Sequence, residues 1–152
     1  MTLPALFAFL HHVAAFTLVA ALAVEFVLIR EEITPPAARR LLLADLVYGA
    51  AAGSVLAVGL LRVFFFEKGP HYYLHSAPFI AKVSLFALVA LLSIYPTVVF
   101  ASWRPAVKLG QPPRADARKI RRIRSLLHWE PAAVVVLIFC AALMARGIGV
   151  LV

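Results

Sequence analysis

Residues 3–29 form an apolar run that is long enough to cross a lipid bilayer and that carries His11 and His12 in its first half. A helix rises about 1.5 Å per residue, so this run extends roughly 40 Å, whereas the hydrocarbon core of a bilayer is about 30 Å thick. An imidazole that loses its water in hydrocarbon needs a partner, such as a metal, a haem, an acid, a proton path or a polar group of another helix. The run therefore predicts a transmembrane helix that takes part in a polar site.

The composition of the whole chain is that of a membrane protein. The 152 residues are 64% hydrophobic and 14% charged, against roughly 45–50% and about 25% in soluble domains. Apolar runs cover residues 3–29, 41–66, 77–103 and 132–152, each about the length of one span. The length leaves room for one domain over residues 1–152. The sequence therefore predicts an all-α fold, a four-helix transmembrane bundle.

The polar segment before the last span predicts an amphipathic basic surface helix at about residues 115–129. Its apolar side chains share one edge and its basic side chains cover the rest, which is typical of a helix that lies on a membrane. The apolar edge consists of Ile120, Ile123, Leu126 and Leu127. The basic residues from Arg114 to Arg124 are expected to bind anionic lipid headgroups. Because the net charge of +8 is concentrated beside the spans, the sequence argues against nucleic-acid binding.

The distribution of Lys and Arg predicts the orientation of the bundle. Three lie between the first two spans, eight between the last two, and only Lys68 in the connection after the second span. Positively charged loops stay in the cytoplasm. We therefore expect a multi-pass protein of the bacterial cytoplasmic (inner) membrane with both termini on the outer, periplasmic side.

Basic side chains of all four spans fall at one depth in the outer half of this arrangement. The candidate cofactor-binding residues are His11, His12, Arg62, Lys82 and Arg146, together with His71 and His75 after the second span. Cations in a medium of low dielectric repel one another unless an anion lies between them. A haem b supplies that anion, because imidazole ligates its iron and Arg or Lys pairs with its propionates. His11 and His75 are the candidate metal ligands.

Two alternatives stay open for these side chains. Arg62, Lys82 and Arg146 lie near span ends, where long cationic side chains extend to lipid headgroups. The two adjacent histidines point about 100° apart on a helix, so one of them at most needs to be a ligand, and we favour His11. Hydrogen bonding between helices is the other explanation for the histidine pair.

Two acids, Glu25 and Asp45, form a second polar layer in the inner half. Tyr48, Tyr95 and His128 are expected nearby. The carboxylates have two interpretations: ion pairs with Arg30, Arg39 or Arg40, or a proton route from the cytoplasm to the outer site.

Several stretches resemble a bacterial family of small four-span membrane proteins of unknown function. They are residues 59–69 (GLLRVFFFEKG), Tyr72 and Tyr73, residues 79–82 (FIAK) and residues 92–97 (LSIYPT). A histidine in the first span and a lysine early in the third are also similar to the four-span protoporphyrinogen IX oxidase family, and small b-type cytochromes and copper-resistance membrane proteins share the four-span plan. This looser similarity implies that His11 is a haem ligand or tetrapyrrole contact and Lys82 a propionate or substrate partner.

The function predicted from these features is haem b (tetrapyrrole) binding for electron transfer or porphyrin oxidation at the outer side of the membrane. An enzymatic activity would be that of an oxidoreductase. The first alternative is a non-catalytic structural or assembly subunit, and the second is a permease for small solutes or metal ions. Another membrane subunit or a second copy of the chain stays open as a partner.

Overall fold

The computed structural model describes residues 2–149, which form helices and contain no strand. The helices are α1 (Leu3–Leu28), α2 (Pro35–Leu61) with a π-helical turn (Arg62–Phe66), α3 (Pro70–Leu74), α4 (Ala77–Ser102), α5 (Arg104–Lys108) and α6 (Ala117–Ala145). Four of them are long and apolar enough to cross a membrane, namely α1, α2 with its π-helical turn, α4 and α6. The predicted all-α bundle of four spans is confirmed. Residues 150–152, the end of the predicted last span, lie outside the described residues.

Local sequence signals set the ends of the long helices. Thr34 caps α2 by accepting a hydrogen bond from the backbone N–H of Ala37 at 3.4 Å, and Pro35 occupies the first helical position. The helix therefore begins six residues before the apolar run that starts at Leu41. Asp116 caps α6 by accepting from the N–H of Arg118 at 2.8 Å. Gly69 ends the connection after α2 with φ of 84°, a conformation that favours glycine.

The long helices form a ring in which α1 packs against α2 and α6, and α4 packs against α6 and α2. We call the end that holds residues 62–76 and the beginnings of α1 and α4 the cap end. The opposite end, with residues 29–34, α5 and the beginning of α6, is the basic end. The largest fully buried side chains all lie in the basic half: Leu22, Ile29, Leu41, Pro96, Phe100, Ile123 and Leu127. The helices thus pack tightly in the basic half and leave room in the cap half.

One continuous helix replaces the predicted surface helix and last span. Ala117–Ala145 contains Pro131 in its interior and has no break between the basic segment and the apolar one. The apolar edge that we expected on the membrane surface is buried in the bundle core, because Ile120, Ile123 and Leu127 pack with side chains of the other long helices. The basic residues therefore lie on the outer face of an extension of the bundle.

Arg124 connects this extension to α1. Its Nε donates to the carbonyl oxygen of Ile29 at 2.9 Å, and so satisfies a carbonyl at the end of α1. Arg124→Ala is expected to lower the free energy of unfolding by about 1 kcal/mol, measured by denaturant titration in mixed micelles. Arg121→Ala, an exposed position on the same helix, is the matched control. Equal stability of the two variants would contradict the capping role.

Candidate functional site

A cavity of about 150 Å³ lies in the cap half between the four long helices. Five polar side chains line it: His11, Arg62, Glu67, Tyr73 and Lys82. The rest of its lining is apolar or glycine, including Val55, Leu56, Gly59, Leu60, Val83 and Phe86. The cavity is therefore an apolar space with a small number of convergent polar groups, which is the usual composition of a ligand site.

His11 reaches the cavity because α1 approaches α2 closely at Gly59. A Cβ atom on Gly59 would lie 3.1 Å from Cε1 of His11, so the imidazole rests directly against the backbone of α2. Its Nδ1 is buried and has no hydrogen-bond partner. A buried polar atom without a partner is uncommon and calls for a ligand or a water molecule. Nδ1 of His11 is thus an unsatisfied polar atom directly beside the cavity.

Arg62 opens the π-helical turn at the end of α2. Such turns occur frequently at functional sites. Its Nη2 donates to Oε1 of Glu67 at 2.6 Å, while its Nε is buried without a partner. The hydroxyl of Tyr73 donates to Oε2 of Glu67 at 3.4 Å. Burial and the neighbouring Glu67 carboxylate raise the pKa of Tyr73, so its hydroxyl stays protonated and keeps donating.

Lys82 lines the cavity from α4 and has no acidic partner. The Arg62–Glu67 pair is the only ion pair among residues 2–149, and it occupies the one carboxylate of the cavity. Lys82 therefore has no protein acid within 4 Å that would pair with its ammonium form. The cavity favours an anion.

The structure brings three of the seven candidate residues together and separates the other four. His11, Arg62 and Lys82 share the cavity, whereas His12, His71, His75 and Arg146 are exposed and do not line it. Nδ1 of His12 lies 2.6 Å from the carbonyl oxygen of Ala8 in its own helix. The rings of His71 and His75 lie 4.4 Å apart on the cap-end surface. Within residues 2–149 there is no group of three His, Cys, Asp or Glu side chains that could hold a metal ion.

The second polar layer contains three acids in the basic half. Glu25, Asp45 and Glu130 are 2%, 9% and 3% exposed. The hydroxyl of Thr97 on α4 donates to Oδ1 of Asp45 at 2.6 Å. The predicted ion pairs with Arg30, Arg39 or Arg40 are absent from the part of the chain that the structure describes.

The residues predicted near this layer are Tyr48, Tyr95 and His128, and two of them contact side chains at the basic end. The guanidinium of Arg30 lies 3.9 Å from the ring centroid of Phe26, and His128 stacks on Phe26 at 6.4 Å. The guanidinium of Arg122 lies 4.8 Å from the ring centroid of Tyr95. Tyr48 is buried within electrostatic reach of all three acids.

A family model described as a predicted membrane protein (DUF2214) matches residues 3–149, nearly the whole chain. The chain belongs to the DUF2214 family. The resemblance to a small four-span family of unknown function is thereby confirmed. No curated protein and no solved structure shows a significant match to the chain. The looser similarity to the oxidase, cytochrome and copper-resistance families stays a prediction.

Three residues of the DUF2214 chain belong to these polar layers without being among the site residues predicted from the sequence. Gly59 and Tyr73 line the cavity, and Glu130 belongs to the acid layer. The first two lie in the stretches that carry the family resemblance, which was the available signal. Glu130 stands between Trp129 and Pro131, a context typical of a membrane interface. The sequence contained no sign that α6 continues through Pro131 and buries Glu130.

Proposed function

We propose that the DUF2214 chain binds an anionic, partly apolar ligand in its cap-end cavity. Within that class we propose a haem b or related tetrapyrrole that serves membrane electron transfer or porphyrin oxidation. The observation that supports this most is that His11, Arg62 and Lys82, from α1, the π-helical turn and α4, line one cavity with a single carboxylate. Unbalanced positive charge in an apolar space is stabilised by a bound anion.

The proposed orientation puts this cavity in the outer half of a bacterial inner membrane. Eleven of the Lys and Arg residues outside the predicted spans lie at the basic end and one, Lys68, at the cap end. The positive-inside rule favours a cytoplasmic position for the basic end. Both termini are then periplasmic.

The donor set suits a tetrapyrrole that carries carboxylates. The imidazole of His11 would ligate the iron of such a group, and the guanidinium of Arg62 and the ammonium of Lys82 would pair with its propionates. A haem in this position would supply one-electron chemistry. The glutamate and tyrosine beside Arg62 fix the guanidinium, so that it meets the anion in one orientation.

The size of the cavity limits how such a ligand is held. Its volume of about 150 Å³ is below the range of roughly 300–1,000 Å³ for sites that enclose a drug-sized ligand. The enclosed space accommodates the polar edge of an amphiphile. Its apolar part would extend past Leu56, Leu60 and Val83, which are 46–48% exposed at the rim. Entry from the lipid phase between α2 and α4 follows from this geometry.

The absorption spectrum of the protein purified in detergent and titrated with haem b tests the proposal. A Soret band shifted from that of free haem in detergent, saturating at a fixed ratio of haem to protein, is the expected result. A spectrum equal to the sum of free haem and colourless protein would overturn the tetrapyrrole assignment. The wider assignment to anionic amphiphiles is then tested with a fluorescent fatty acid bound to the protein. Carboxylate and phosphate detergents are expected to compete with it for the site.

A further inference from the structure

We propose that Glu25, Asp45 and Glu130 form a proton-binding site inside the bundle, in which Glu25 and Glu130 carry protons at neutral pH. The three carboxyl groups come from α1, α2 and α6 and are all at least 91% buried. Oε1 of Glu25 and Oε1 of Glu130 are buried without any hydrogen-bond partner. These two unpartnered oxygens mark the site, and the ligand that they call for must be small and positive.

No cation of the protein neutralises these carboxyls. The charged and titratable groups that the packed helices carry around the site are Arg30 on the α1 side, Tyr48 on α2, Tyr95 on α4, Arg104 on α5, and Arg122 and His128 on α6. Arg30 and Arg122 lie over aromatic rings. Neither these groups nor any other basic group of residues 2–149 lies within 4 Å of the three acids.

Asp45 differs from the two glutamates in its surroundings. It accepts the hydroxyl hydrogen of Thr97 at 2.6 Å, and Arg104 lies within its electrostatic reach. A hydrogen-bond donor and a cation stabilise the ionised form of a carboxyl group. These two neighbours distinguish Asp45 from the glutamates, and its carboxyl group lies within electrostatic reach of Glu25. A proton on Glu25 removes the repulsion between the two carboxylates.

A proton is a better neutralising ligand here than a metal ion. An unpaired carboxylate inside a membrane bundle costs several kcal/mol, so that the acid takes up a proton instead. The structure has no group of three acids and histidines, among residues 2–149, with the spacing needed for a metal. Protonation needs no such spacing, because each carboxyl group binds its own proton.

The site exchanges protons through the basic end. Glu25 lies three residues before the end of α1 at Leu28, which is about 4.5 Å along the helix axis. Toward the cap end, buried apolar side chains separate the acids from the cavity, with Leu18 on α1, Ala51 on α2 and Val89 on α4. Buried apolar side chains therefore lie between the two polar layers, and the acids form the inner one.

Infrared spectra of the full chain reconstituted in bilayers at pH 7 test this inference. The expected result is a C=O stretching band of protonated carboxylic acid that shifts in D₂O and loses about half its area in Glu25→Gln and in Glu130→Gln. Glu31→Gln, an exposed loop position, is expected to leave the band unchanged. A spectrum with carboxylate bands only, or a protonated band that both variants leave intact, would overturn the proposal.

The stability of the same variants gives a second, independent readout. Glutamine has nearly the shape and charge of protonated glutamate, so Glu25→Gln is expected to fold with the stability of the natural chain. If Glu25 were ionised and required as an anion, this variant would unfold at a lower denaturant concentration or fail to fold. Such a failure therefore counts against the proposal.

Discussion

Replacing His11 with alanine is expected to abolish the shifted Soret band of the protein titrated with haem b, whereas replacing His12 is expected to leave it unchanged. The two residues are neighbours in sequence and share one helix. They differ in environment, because His11 lines the cavity with a free Nδ1 and His12 is exposed with its Nδ1 beside a backbone carbonyl. Of the two, only His11 would lie beside a group that the cavity holds.

The pair of variants gives a matched comparison of affinity. We expect His11→Ala to weaken haem binding by at least about tenfold, equal to ~1.4 kcal/mol, with His12→Ala within the error of the natural chain. Titration of each purified variant, followed at the Soret maximum, measures the two affinities, and size-exclusion profiles confirm folding. Equal losses in both variants, or a loss confined to His12→Ala, would exclude His11 as the ligand.

The depth of the site residues could be predicted from the sequence, but their direction could not. Counting residues along each span placed His11, Arg62 and Lys82 at one level, and these three do share the cavity. Arg146 was assigned to the same level and is exposed outside the cavity. A transmembrane helix is apolar on every face, so its sequence does not show which side chain faces the neighbouring helices.

The acid layer shows the same limit of prediction from sequence. The sequence predicts Glu25 and Asp45 as intramembrane acids and the arginines nearby in sequence as their partners. The structure buries both acids, leaves Arg39 and Arg40 exposed, and adds Glu130 as a third acid. Which groups meet depends on the rotation of α2 and on the continuity of α6, and both result from packing across the bundle.

The tight packing of the basic half leads to the largest expected change in stability, at Phe100. Its side chain is 0% exposed and its ring centroid lies 5.2 Å from that of Trp103. In a soluble protein Phe→Ala costs about 3–5 kcal/mol. Part of that cost is transfer of apolar surface to water, and lipid tails reduce this part because they are as apolar as the core.

We therefore expect Phe100→Ala to lower the free energy of unfolding by about 2–3 kcal/mol, which is the contribution of the cavity that the missing ring leaves. Phe16 on α1 is 74% exposed and faces lipid, so Phe16→Ala removes the same atoms without opening a cavity and should change stability by less than about 0.5 kcal/mol. Unfolding of both variants in mixed micelles measures the difference. Equal losses of stability in the two variants would show that the basic half is not the packed core of the bundle.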